Sequence, residues 1–596
     1  MRGAACRTSP LTPRAPEGVI KFRVGRSLLD GARRTPGVVS GCALGEEVCD
    51  GVYQQVNNTP QTIILCGGAI NYSSLPIRTN QSNAMIPING KPVIGWILDE
   101  LLFKGIRQAT VVLREQDSRL QAFLQRAYAG RMEVAIAPLR EEGTIVQSIR
   151  AGLCRTPTDG LVRIILGDTL IRDSFEGDQD FVYVGEVEDS RRWCVAVTGH
   201  FGQIVDYLDK QELFNPPYQA LAGYYHLRRG DHLRTCVERC VANGESELSD
   251  VLRRYQISYP IQAQPVKEWF DLGHIDNLVD ARRRLLQPRY FNSLTINPVL
   301  NTITKVSQHS QKLTDELAWY QDIPDELKIL TPRILINENA RGEVQITQEY
   351  YGYPTLAELY TYGELHADIW LSILRHVLRV HQEFRSYSGQ LEPELVRAMY
   401  ADKTWQRLAT LREQDAHWQA LLAQETVVFN NRQLRNIYAL EEAVNARAQE
   451  LAESAPICVI HGDFCFSNIL FDINNQIIRL IDPRGSFGRS GIYGDARYDI
   501  AKLRHSVRGL YDYIMADMFE MQETPGGYRG QVYIDGRPQV VAAEFDRMLA
   551  SIGYNLDEIR FIEGLLFVSM VPLHKGNRQR QQLLYLTGLS QLNEVL

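Results

Sequence analysis

The sequence predicts an α/β protein in which two folding units follow one another. Short apolar runs alternate with helical patterns over residues 62–166, and new strand-like runs begin after about residue 290 and lead into long helical segments. The length of 596 residues is enough for several domains of roughly 100–200 residues each. Alternating strands and helices are typical of a parallel sheet with helices on both faces, so we expect such a sheet in the first unit.

Composition and charge narrow the function classes. Hydrophobic residues make up 44% of the chain and charged residues 23%, the usual balance of a globular protein with buried cores. The formal net charge of −7 provides no basic footprint for a nucleic acid. No apolar run approaches the roughly 18 residues that a membrane-spanning helix needs. We therefore expect small-molecule substrates, no nucleic-acid partner and no membrane insertion, and the sequence leaves a homo-oligomer open.

The ten cysteines are scattered along the chain and form no CxxC motif. Cys236 and Cys240 lie one helical turn apart without a matching His or Cys cluster, so no structural zinc site is expected. Scattered thiols in a long chain indicate a reducing compartment, and we expect a cytoplasmic protein.

Residues 1–58 differ in composition from the rest of the chain. Seven arginines precede residue 35, interleaved with Pro and Gly, and no strand or helix period is sustained. Pro10, Pro13 and Pro16 interrupt any amphipathic targeting helix, and there is no hydrophobic signal segment. This composition favours a disordered leader or a mis-assigned start, with a targeting segment as the alternative.

Glycines and an aspartate follow predicted strand ends in the first unit. The strand and helix patterns cover, in chain order, residues 62–66, 93–103, 109–113, 134–137 and 162–166. Ligands of parallel sheets bind beyond the carboxyl ends of the strands. This rule directs attention to Gly67, Gly68 and Asp168.

A loop and a hairpin in the second unit carry the strongest chemical signal. Residues 461–468 are His-Gly-Asp-Phe-Cys-Phe-Ser-Asn, and the hairpin that follows ends at Asp482. Phosphoryl transfer needs a carboxylate that accepts the substrate hydroxyl's proton, and an amide oxygen and a second carboxylate for Mg²⁺. Asp463, Asn468 and Asp482 supply this set at the spacing of the protein-kinase catalytic loop. Turns also favour Asp and Asn for local hydrogen bonds, but the hairpin and Asp482 favour the chemical interpretation.

Residues upstream of this loop agree with a kinase. Lys305 lies in a strand-like run and Glu316 in the next helical run, as a kinase needs for holding and orienting nucleotide phosphates. Either could instead be a solvated surface charge. Glu349 ends a strand where the adenine-contacting hinge would fall. A Gly-rich loop is missing, since residues 293–300 contain no glycine.

Residues 290–596 resemble the aminoglycoside phosphotransferase and choline kinase family, on the H-G-D-x-x-x-x-N motif, the Ile-Asp strand end and the G-D-x-x-Y-D-[IL]-A pattern at residues 494–501. The resemblance implies a protein-kinase-like, two-lobed α+β phosphotransferase domain that uses ATP. It makes Asp463 the base and Asn468 and Asp482 the Mg²⁺ ligands, with His461 structural. The family's acceptors are small alcohols, sugars, amino alcohols or antibiotics.

Residues 62–280 resemble the sugar-nucleotide pyrophosphorylase family, which implies a Rossmann-like nucleotidyltransferase domain. The resemblance rests on five ordered matches: residues 85–94, Glu142-Gly143-Thr144, Leu166-Gly167-Asp168, residues 222–225 and residues 269–273. It implies that Asp168 and Asp271 hold Mg²⁺. It further implies nucleotide contacts for Gly67, Gly68, Gly143 and Thr144, and substrate contacts for Lys210 and Gly223.

The first unit also departs from that family's pattern. The phosphate loop G-G-x-G-T-R is replaced after Gly68, and Asn83 stands where a lysine is expected to stabilise the reacting phosphate. Arg78 is a candidate substitute for the missing arginine, and Lys91 is retained in the matching segment at residues 85–94. Two interpretations follow: a divergent transferase rebuilt around Asn71, Arg78 and Asn83, which we favour, or a domain that binds ligand without catalysis.

Together these patterns predict a bifunctional kinase and nucleotidyltransferase that makes a nucleotide-activated sugar or amino alcohol for capsule or other surface glycans. It would use Mg²⁺, ATP and a second nucleoside triphosphate (CTP, UTP or GTP). The alternatives are a kinase with a non-catalytic first domain and a regulatory or scaffold pseudoenzyme. The predicted divisions are a leader at 1–58, a transferase domain at 59–286, and a kinase domain at 287–596 with lobes at 287–355 and 356–596.

Overall fold

The protein is described by a computed structural model over residues 59–68, 82–140, 143–273, 275–285, 292–307, 310–338 and 344–596. The predicted leader at residues 1–58 and the candidate residues Asn71 and Arg78 lie outside this part of the chain. Within it, no helix combines the length and the apolar character needed to cross a membrane.

A nine-stranded sheet lies at the centre of the first unit. The elements of this unit are, in chain order, β1 (Gln61–Leu65), β2 (Pro87–Ile88), β3 (Lys91–Pro92), α1 (Val93–Phe103), β4 (Gln108–Arg114), α2 (Ser118–Ala127), β5 (Glu133–Leu139), α3 (Ile145–Arg155), β6 (Val162–Leu166), β7 (Thr169–Ile171), β8 (Phe181–Val187), β9 (Cys194–Thr198), β10 (Ile204–Asp209), β11 (Tyr218–Leu227), α4 (Gly230–Ala242), α5 (Leu248–Gln256), β12 (Gln262–Pro265), β13 (Trp269–Asp271) and α6 (Ile275–Arg284).

Half of this sheet is parallel, as the alternation of strands and helices predicted. β1 pairs in parallel with β4 and β6, and β4 pairs in parallel with β5. Every residue of β1 is buried. Ile64 packs into one apolar core, while Ile63 and Leu65 pack into a second core. A strand buried on both faces suits such a continuous run of apolar residues.

The other half of the sheet is largely antiparallel, which the sequence did not predict. β11 pairs antiparallel with β6, β8 and β9, and β9 pairs antiparallel with β10. Only residues 199–203 connect β9 to β10. A parallel pair needs a crossover of a dozen or more residues, so this short connection permits only a hairpin.

The second unit begins with a small lobe built on a four-stranded antiparallel sheet. Its elements are β14 (Asn292–Asn297), β15 (Thr302–Ser307), α7 (Ser310–Asp322), β16 (Ile334–Glu338) and β17 (Val344–Glu349). The strand order is β14-β15-β17-β16. Ile346 of β17 and Leu313 and Trp319 of α7 are buried, so the helix covers part of the sheet.

The large lobe is mainly helical. Its elements are α8 (Leu356–Tyr362), α9 (Ala367–Arg385), α10 (Pro393–Arg397), α11 (Lys403–Gln414), α12 (Ala416–Leu422), β18 (Thr426–Phe429), β19 (Arg432–Arg435), α13 (Glu441–Glu453), β20 (Ile457–Val459), β21 (Ile469–Asp472), β22 (Ile477–Leu480), β23 (Ser486–Phe487), β24 (Arg489–Ser490), β25 (Tyr493–Asp495), α14 (Ala496–Val507), α15 (Tyr511–Met515), β26 (Phe519–Thr524), β27 (Gly527–Val532), α16 (Arg537–Ser551), α17 (Leu556–Met570) and α18 (Arg578–Val595). The hairpin β18–β19 interrupts a region that the sequence predicted as helical.

A buried ion pair joins the two units. The Arg282 guanidinium of α6 lies 3.1 Å from the Glu358 carboxylate of α8, and their side chains are only 10% and 3% exposed. Glu358 also accepts hydrogen bonds from the backbone N–H of Gly90 (2.7 Å) and of Thr355 (2.8 Å). One apolar core continues across the same boundary. The tip of the β2–β3 hairpin is thereby fixed against the first helix of the large lobe.

Glu358→Gln should lower the free energy of unfolding by about 3–5 kcal/mol, because it leaves the buried Arg282 charge without its partner. Denaturant titration followed by tryptophan fluorescence measures this change. The matched control is Glu238→Gln, which removes an ion pair with Arg150 whose side chains are about 40% exposed and should cost about 1 kcal/mol or less. Equal costs for the two variants would contradict a structural role for the buried pair.

Candidate active sites

The loop after β20 brings the predicted base and its neighbours together. The Lys502 ammonium lies 2.8 Å from the Asp463 carboxylate. The Asn468 side-chain amide donates to the Asp463 carboxylate (3.0 Å) and to its backbone carbonyl (2.9 Å). Burial alone would raise the pKa of Asp463, but the Lys502 ammonium outweighs it and holds that pKa well below its usual range. Asp463 is therefore an ionised carboxylate at neutral pH.

Asp499 of α14 holds this loop in place. Its carboxylate accepts hydrogen bonds from the backbone N–H of His461 (2.7 Å) and of Gly462 (2.9 Å). Gly462 has a φ of +75°, a conformation that glycine adopts without a steric penalty. Burial raises the pKa of Asp499 to about 7 despite the two N–H donors. The acidic pattern at residues 494–501 thus contacts the loop that carries Asp463.

His461 occupies a structural environment. Its side chain is fully buried, and its ring packs edge-on against Trp319 at 5.7 Å between centroids. Burial lowers the pKa of His461 to about 4, so the imidazole is neutral at neutral pH.

The strand lysine of the small lobe reaches the same site. The Lys305 ammonium lies 2.6 Å from Glu316 of α7 and 3.2 Å from Asp482. Burial alone would lower the pKa of Lys305, but Asp482 and Glu316 outweigh it and raise that pKa. The lysine is therefore a fixed cation whose orientation is set by Glu316.

Asn468 and Asp482 flank the β21–β22 hairpin, one before its first strand and the other after its second. The backbone N–H of Ile481 donates to the Asn468 carbonyl (3.0 Å), so Asp482 follows directly after the residue bonded to Asn468. Asp482 has a φ of +55°, an uncommon conformation for a residue other than glycine. An amide oxygen and a carboxylate are the hard oxygen ligands that Mg²⁺ prefers. The two side chains fit the role of cation ligands.

A cleft of about 620 Å³ contains this site. Its lining includes Asp463, Asp482 and Lys305, the strand-end residue Glu349, and residues of the first unit, among them Lys91. Lys91 forms an ion pair with Asp99, and its ammonium lies 4.7 Å from the Trp96 ring centroid. The sequence grouped Lys91 with residues 85–94 of the first unit. The structure places its side chain in the wall of the cleft that belongs to the second unit.

Two charged residues of the cleft, Lys502 and Asp512, were missed by sequence reasoning. Asp512 of α15 lines the cleft, and burial raises its pKa to about 6. The sequence carried no signal for Lys502, because only the structure shows that all twelve residues of α14 are buried although several of them are charged. A charged residue in a helix without a solvent face needs a partner, and for Lys502 that partner is Asp463.

In the first unit, the two predicted metal carboxylates lie close together. β13 pairs with β7 so that Asp271 is opposite Thr169, and the backbone N–H of Leu272 donates to the Asp168 carbonyl (2.8 Å). The Asp271 carboxylate accepts hydrogen bonds from the Gly273 N–H (3.2 Å) and from the Asn277 side chain (2.6 Å). Asp168 and Asp271 thus lie on paired segments, and carboxylates are ligands that Mg²⁺ prefers.

Asn83 contacts one of these carboxylates, that of Asp168. Its side-chain amide donates to Asp168 (3.2 Å), and its backbone N–H donates to the Gly68 carbonyl (3.2 Å). Asn83 thus lies where the family pattern places a lysine, but it brings a neutral donor instead of a positive charge.

The other predicted contacts of the first unit lie at neighbouring strand ends. Gly67 follows β1, and a β carbon there would lie 3.3 Å from Leu139 at the end of β5. Thr144 caps α3, where its hydroxyl accepts from the Gln147 N–H, and Gly143 precedes it. Together with Asp168, these residues lie beyond the carboxyl ends of the parallel strands β1, β5 and β6.

Gly223 and Lys210 have different surroundings. Gly223 has a φ of +88°, and a β carbon there would lie 2.8 Å from the hydroxyl of Thr169, next to Asp168. Lys210 follows β10 and is exposed. Among the described residues, the Lys210 ammonium has no hydrogen bond or ion pair, so the structure does not join it to Asp168.

The fold and these side chains define a chain with two phosphate-handling centres of different classes. Residues 61–288 match the family model described as nucleotidyl transferase, and residues 305–528 match the model of the phosphotransferase enzyme family. The two matches confirm the predicted fusion, its fold class and its enzymatic nature. Both are families that act on small molecules and generally use nucleoside triphosphates and Mg²⁺.

Individual proteins that are named for an activity are similar to the first unit. A UTP–glucose-1-phosphate uridylyltransferase from Haloferax volcanii is 22% identical over 222 residues, which cover 35% of this chain and 90% of the relative. Among solved structures, a CTP:phosphocholine cytidylyltransferase from Streptococcus pneumoniae is 13% identical, with 38% of this chain and 99% of that one covered and a TM-score of 0.32. A nucleoside-diphosphate-sugar pyrophosphorylase from Vibrio cholerae is 15% identical, with 37% and 99% covered and a TM-score of 0.32.

Lys502→Met should shift the acid limb of the pH–rate profile of the second unit to higher pH by about one unit or more. The lysine holds the pKa of Asp463 down, so without it the carboxylate is protonated at a higher pH and activity is lost earlier on acidification. The measurement is kcat/KM for ATP turnover against pH. The control is Lys575→Met, which removes an exposed ammonium bonded to Gln414 and should leave the profile in place. An unshifted acid limb in Lys502→Met would mean that Lys502 does not set the ionisation of Asp463.

Proposed function

We propose that the second unit transfers the γ-phosphoryl group of ATP to a hydroxyl group of a small molecule. The observation that carries this proposal is the arrangement of Asp463, Asn468, Asp482 and Lys305 around one cleft. Asp463 accepts the hydroxyl proton while the acceptor oxygen forms a bond to the γ-phosphorus, and the bond from that phosphorus to the bridging oxygen of ADP breaks. Lys305, oriented by Glu316, binds the nucleotide phosphates.

Asn468 and Asp482 would hold Mg²⁺ in this reaction. The cation would neutralise the charge of the phosphates. Glu349, at the end of β17 in the cleft wall, would lie at the nucleotide base. Its side chain accepts from the Arg333 N–H (3.2 Å) and from the Tyr351 hydroxyl (2.8 Å), so its orientation is fixed before nucleotide binds.

We propose further that the first unit couples the phosphorylated product to a nucleoside triphosphate. A phosphate oxygen of that product would form a bond to the α-phosphorus, and the bond to the pyrophosphate leaving group would break. Asp168 and Asp271 would hold Mg²⁺ here. The nucleotide would contact Gly67, Gly68, Gly143 and Thr144, and the substrate would contact Gly223 and Lys210. CTP, UTP and GTP are the candidate nucleotides.

The product would be a nucleotide-activated sugar or amino alcohol for a capsule or another surface glycan. Two features support this proposal: the two transferase classes on one chain, and the Haloferax volcanii relative, which is named for UTP and glucose 1-phosphate. The kinase step would come first because it supplies the phosphate that the transferase step consumes.

Asp463→Asn should abolish phosphorylation of the acceptor, because an amide cannot accept the hydroxyl proton, and it should leave pyrophosphate release intact. Asp168→Asn should do the reverse. The measurements are ADP release with a panel of sugars and amino alcohols, and pyrophosphate release from CTP, UTP or GTP with the corresponding phosphates. If either variant loses both activities while its circular dichroism spectrum shows that it is still folded, the proposal of two separate centres is refuted.

The second candidate is a kinase whose first unit binds nucleotide without catalysis. The observation that favours it is Asn83, which hydrogen-bonds Asp168 where a lysine would supply a positive charge to the reacting phosphate. Loss of such a charge should cost several kcal/mol of transition-state stabilisation. Under this candidate, the full-length chain phosphorylates its acceptor and releases no pyrophosphate with any nucleotide.

Asn83→Ala should slow pyrophosphate release by about tenfold or more if the transferase has been rebuilt around Asn83, since removing one donor at a reacting phosphate has an effect of this size. Acceptor phosphorylation should not change. Asn243→Ala, at an exposed position after α4, is the control. Unchanged pyrophosphate release in Asn83→Ala would show that Asn83 does not take part in the transferase step.

A further inference from the structure

Basic side chains gather next to Asp463 around the ring of Tyr498. The Arg484 guanidinium donates to the Tyr498 hydroxyl (3.3 Å), and the Lys403 ammonium lies 5.9 Å from the centroid of the same ring. A β carbon on Gly462 would lie 2.7 Å from the β carbon of Arg484. Arg484 therefore packs directly against the residue that precedes Asp463.

Two further cations complete this group, which we call the basic cluster (Lys403, Arg407, Arg484 and Lys502). Arg407 lies one helical turn after Lys403 on α11 and donates to the Ser569 carbonyl (2.9 Å). Ser569 precedes Met570, which lines the cleft. Lys502 lies one turn after Tyr498 on α14 and pairs with Asp463.

The charges of the basic cluster are not balanced. Lys502 pairs with Asp463, but Lys403, Arg407 and Arg484 form no ion pair with any carboxylate in the described part of the chain. Burial, together with Arg484 and Arg407, lowers the pKa of Lys403 well below its usual range. Like charges held together at this cost indicate a site that an anion completes.

The position of the basic cluster in the large lobe indicates that it faces the acceptor and not ATP. Lys305 reaches Asp482 from the small lobe, which is the side of the nucleotide phosphates. Lys403 and Arg407 belong to α11 of the large lobe, and Arg484 lies two residues after Asp482, beyond the end of β22. The acceptor must approach Asp463 from the large lobe, because its hydroxyl has to meet both this base and the γ-phosphate.

We propose that the acceptor alcohol is an anion whose carboxylate or phosphate oxygens are bound by Lys403, Arg407 and Arg484 while its hydroxyl faces Asp463. This inference rests on the kinase function proposed above. It selects among the acceptors that the family resemblance implied: the guanidinium groups of Arg407 and Arg484, which have no ion-pair partner in the described part of the chain, disfavour amino alcohols and aminoglycosides and favour hydroxy acids, uronic acids or sugar phosphates.

Matched pairs of alcohols test the proposal on the full-length chain with ATP. The pairs are glycerol with glycerate, glycerol with glycerol 3-phosphate, and glucose with glucuronate, with choline as the cationic probe, and the readout is ADP release. The anionic member of at least one pair should have a kcat/KM at least about tenfold higher, the effect of one charge-assisted hydrogen bond. Preference for a neutral or cationic alcohol, or no preference in any pair, would overturn the inference.

Substitutions then test which residues recognise the anion. Lys403→Gln and Arg484→Gln should each raise the KM of the preferred anionic alcohol by about tenfold or more and leave the KM for ATP unchanged. Arg412→Gln is the control, because it lies on the same helix with its guanidinium over Tyr438. A rise in the KM for ATP instead would mean that the cations serve the triphosphate, and the inference would fail.

The failure of this inference can be separated from the failure of the kinase function. ADP release without added acceptor, abolished by Asp463→Asn, tests the function alone. If the wild-type chain releases no ADP under any condition, the kinase proposal fails. If it releases ADP with no preference for anions, only the anionic acceptor is refuted.

Discussion

The Glu358 carboxylate is the point at which three parts of the chain meet. It accepts from Arg282 of α6, from the Gly90 N–H at the tip of the β2–β3 hairpin, and from the Thr355 N–H at the start of its own helix. A buried carboxylate is stable only when its charge and its lone pairs are satisfied. The same interaction therefore fixes α8, which forms part of the cleft wall, and attaches the first unit to it. The shape of the kinase cleft depends on the presence of the transferase unit.

The two centres control phosphate charge in different ways. In the second unit, the cations Lys305 and Lys502 are each paired with a carboxylate of the site, so they are held in fixed positions before a nucleotide enters. In the first unit, the neutral amide of Asn83 contacts Asp168. A neutral donor orients a phosphate oxygen but neutralises little of its charge. The transferase centre would therefore depend more heavily on the Mg²⁺ that Asp168 and Asp271 would hold.

The predicted site residues that the structure brings together are also close to one another in the chain. Asp463, Asn468 and Asp482 lie within twenty residues of one another, and a hairpin of ordinary length is enough to bring them together. The pairing of Lys305 with Glu316 also follows from one strand and the next helix. The Arg282–Glu358 pair, the contact of Lys502 with Asp463 and the place of Lys91 in the kinase cleft could not be predicted, because each depends on tertiary packing between distant segments. The antiparallel half of the first sheet was missed because short apolar runs do not reveal strand direction.

One short segment borders both centres. Asn83 hydrogen-bonds Asp168 in the transferase site, and Lys91, eight residues later, lines the kinase cleft. Eight residues span at most about 30 Å even when fully extended, and the turn at Gly90, held by Glu358, shortens that distance. If the kinase step precedes the transferase step, its product moves over a distance of this order between surfaces joined by a buried ion pair. The fusion of the two units thus has a physical consequence: it fixes the separation of the two centres, which two independent proteins could not do.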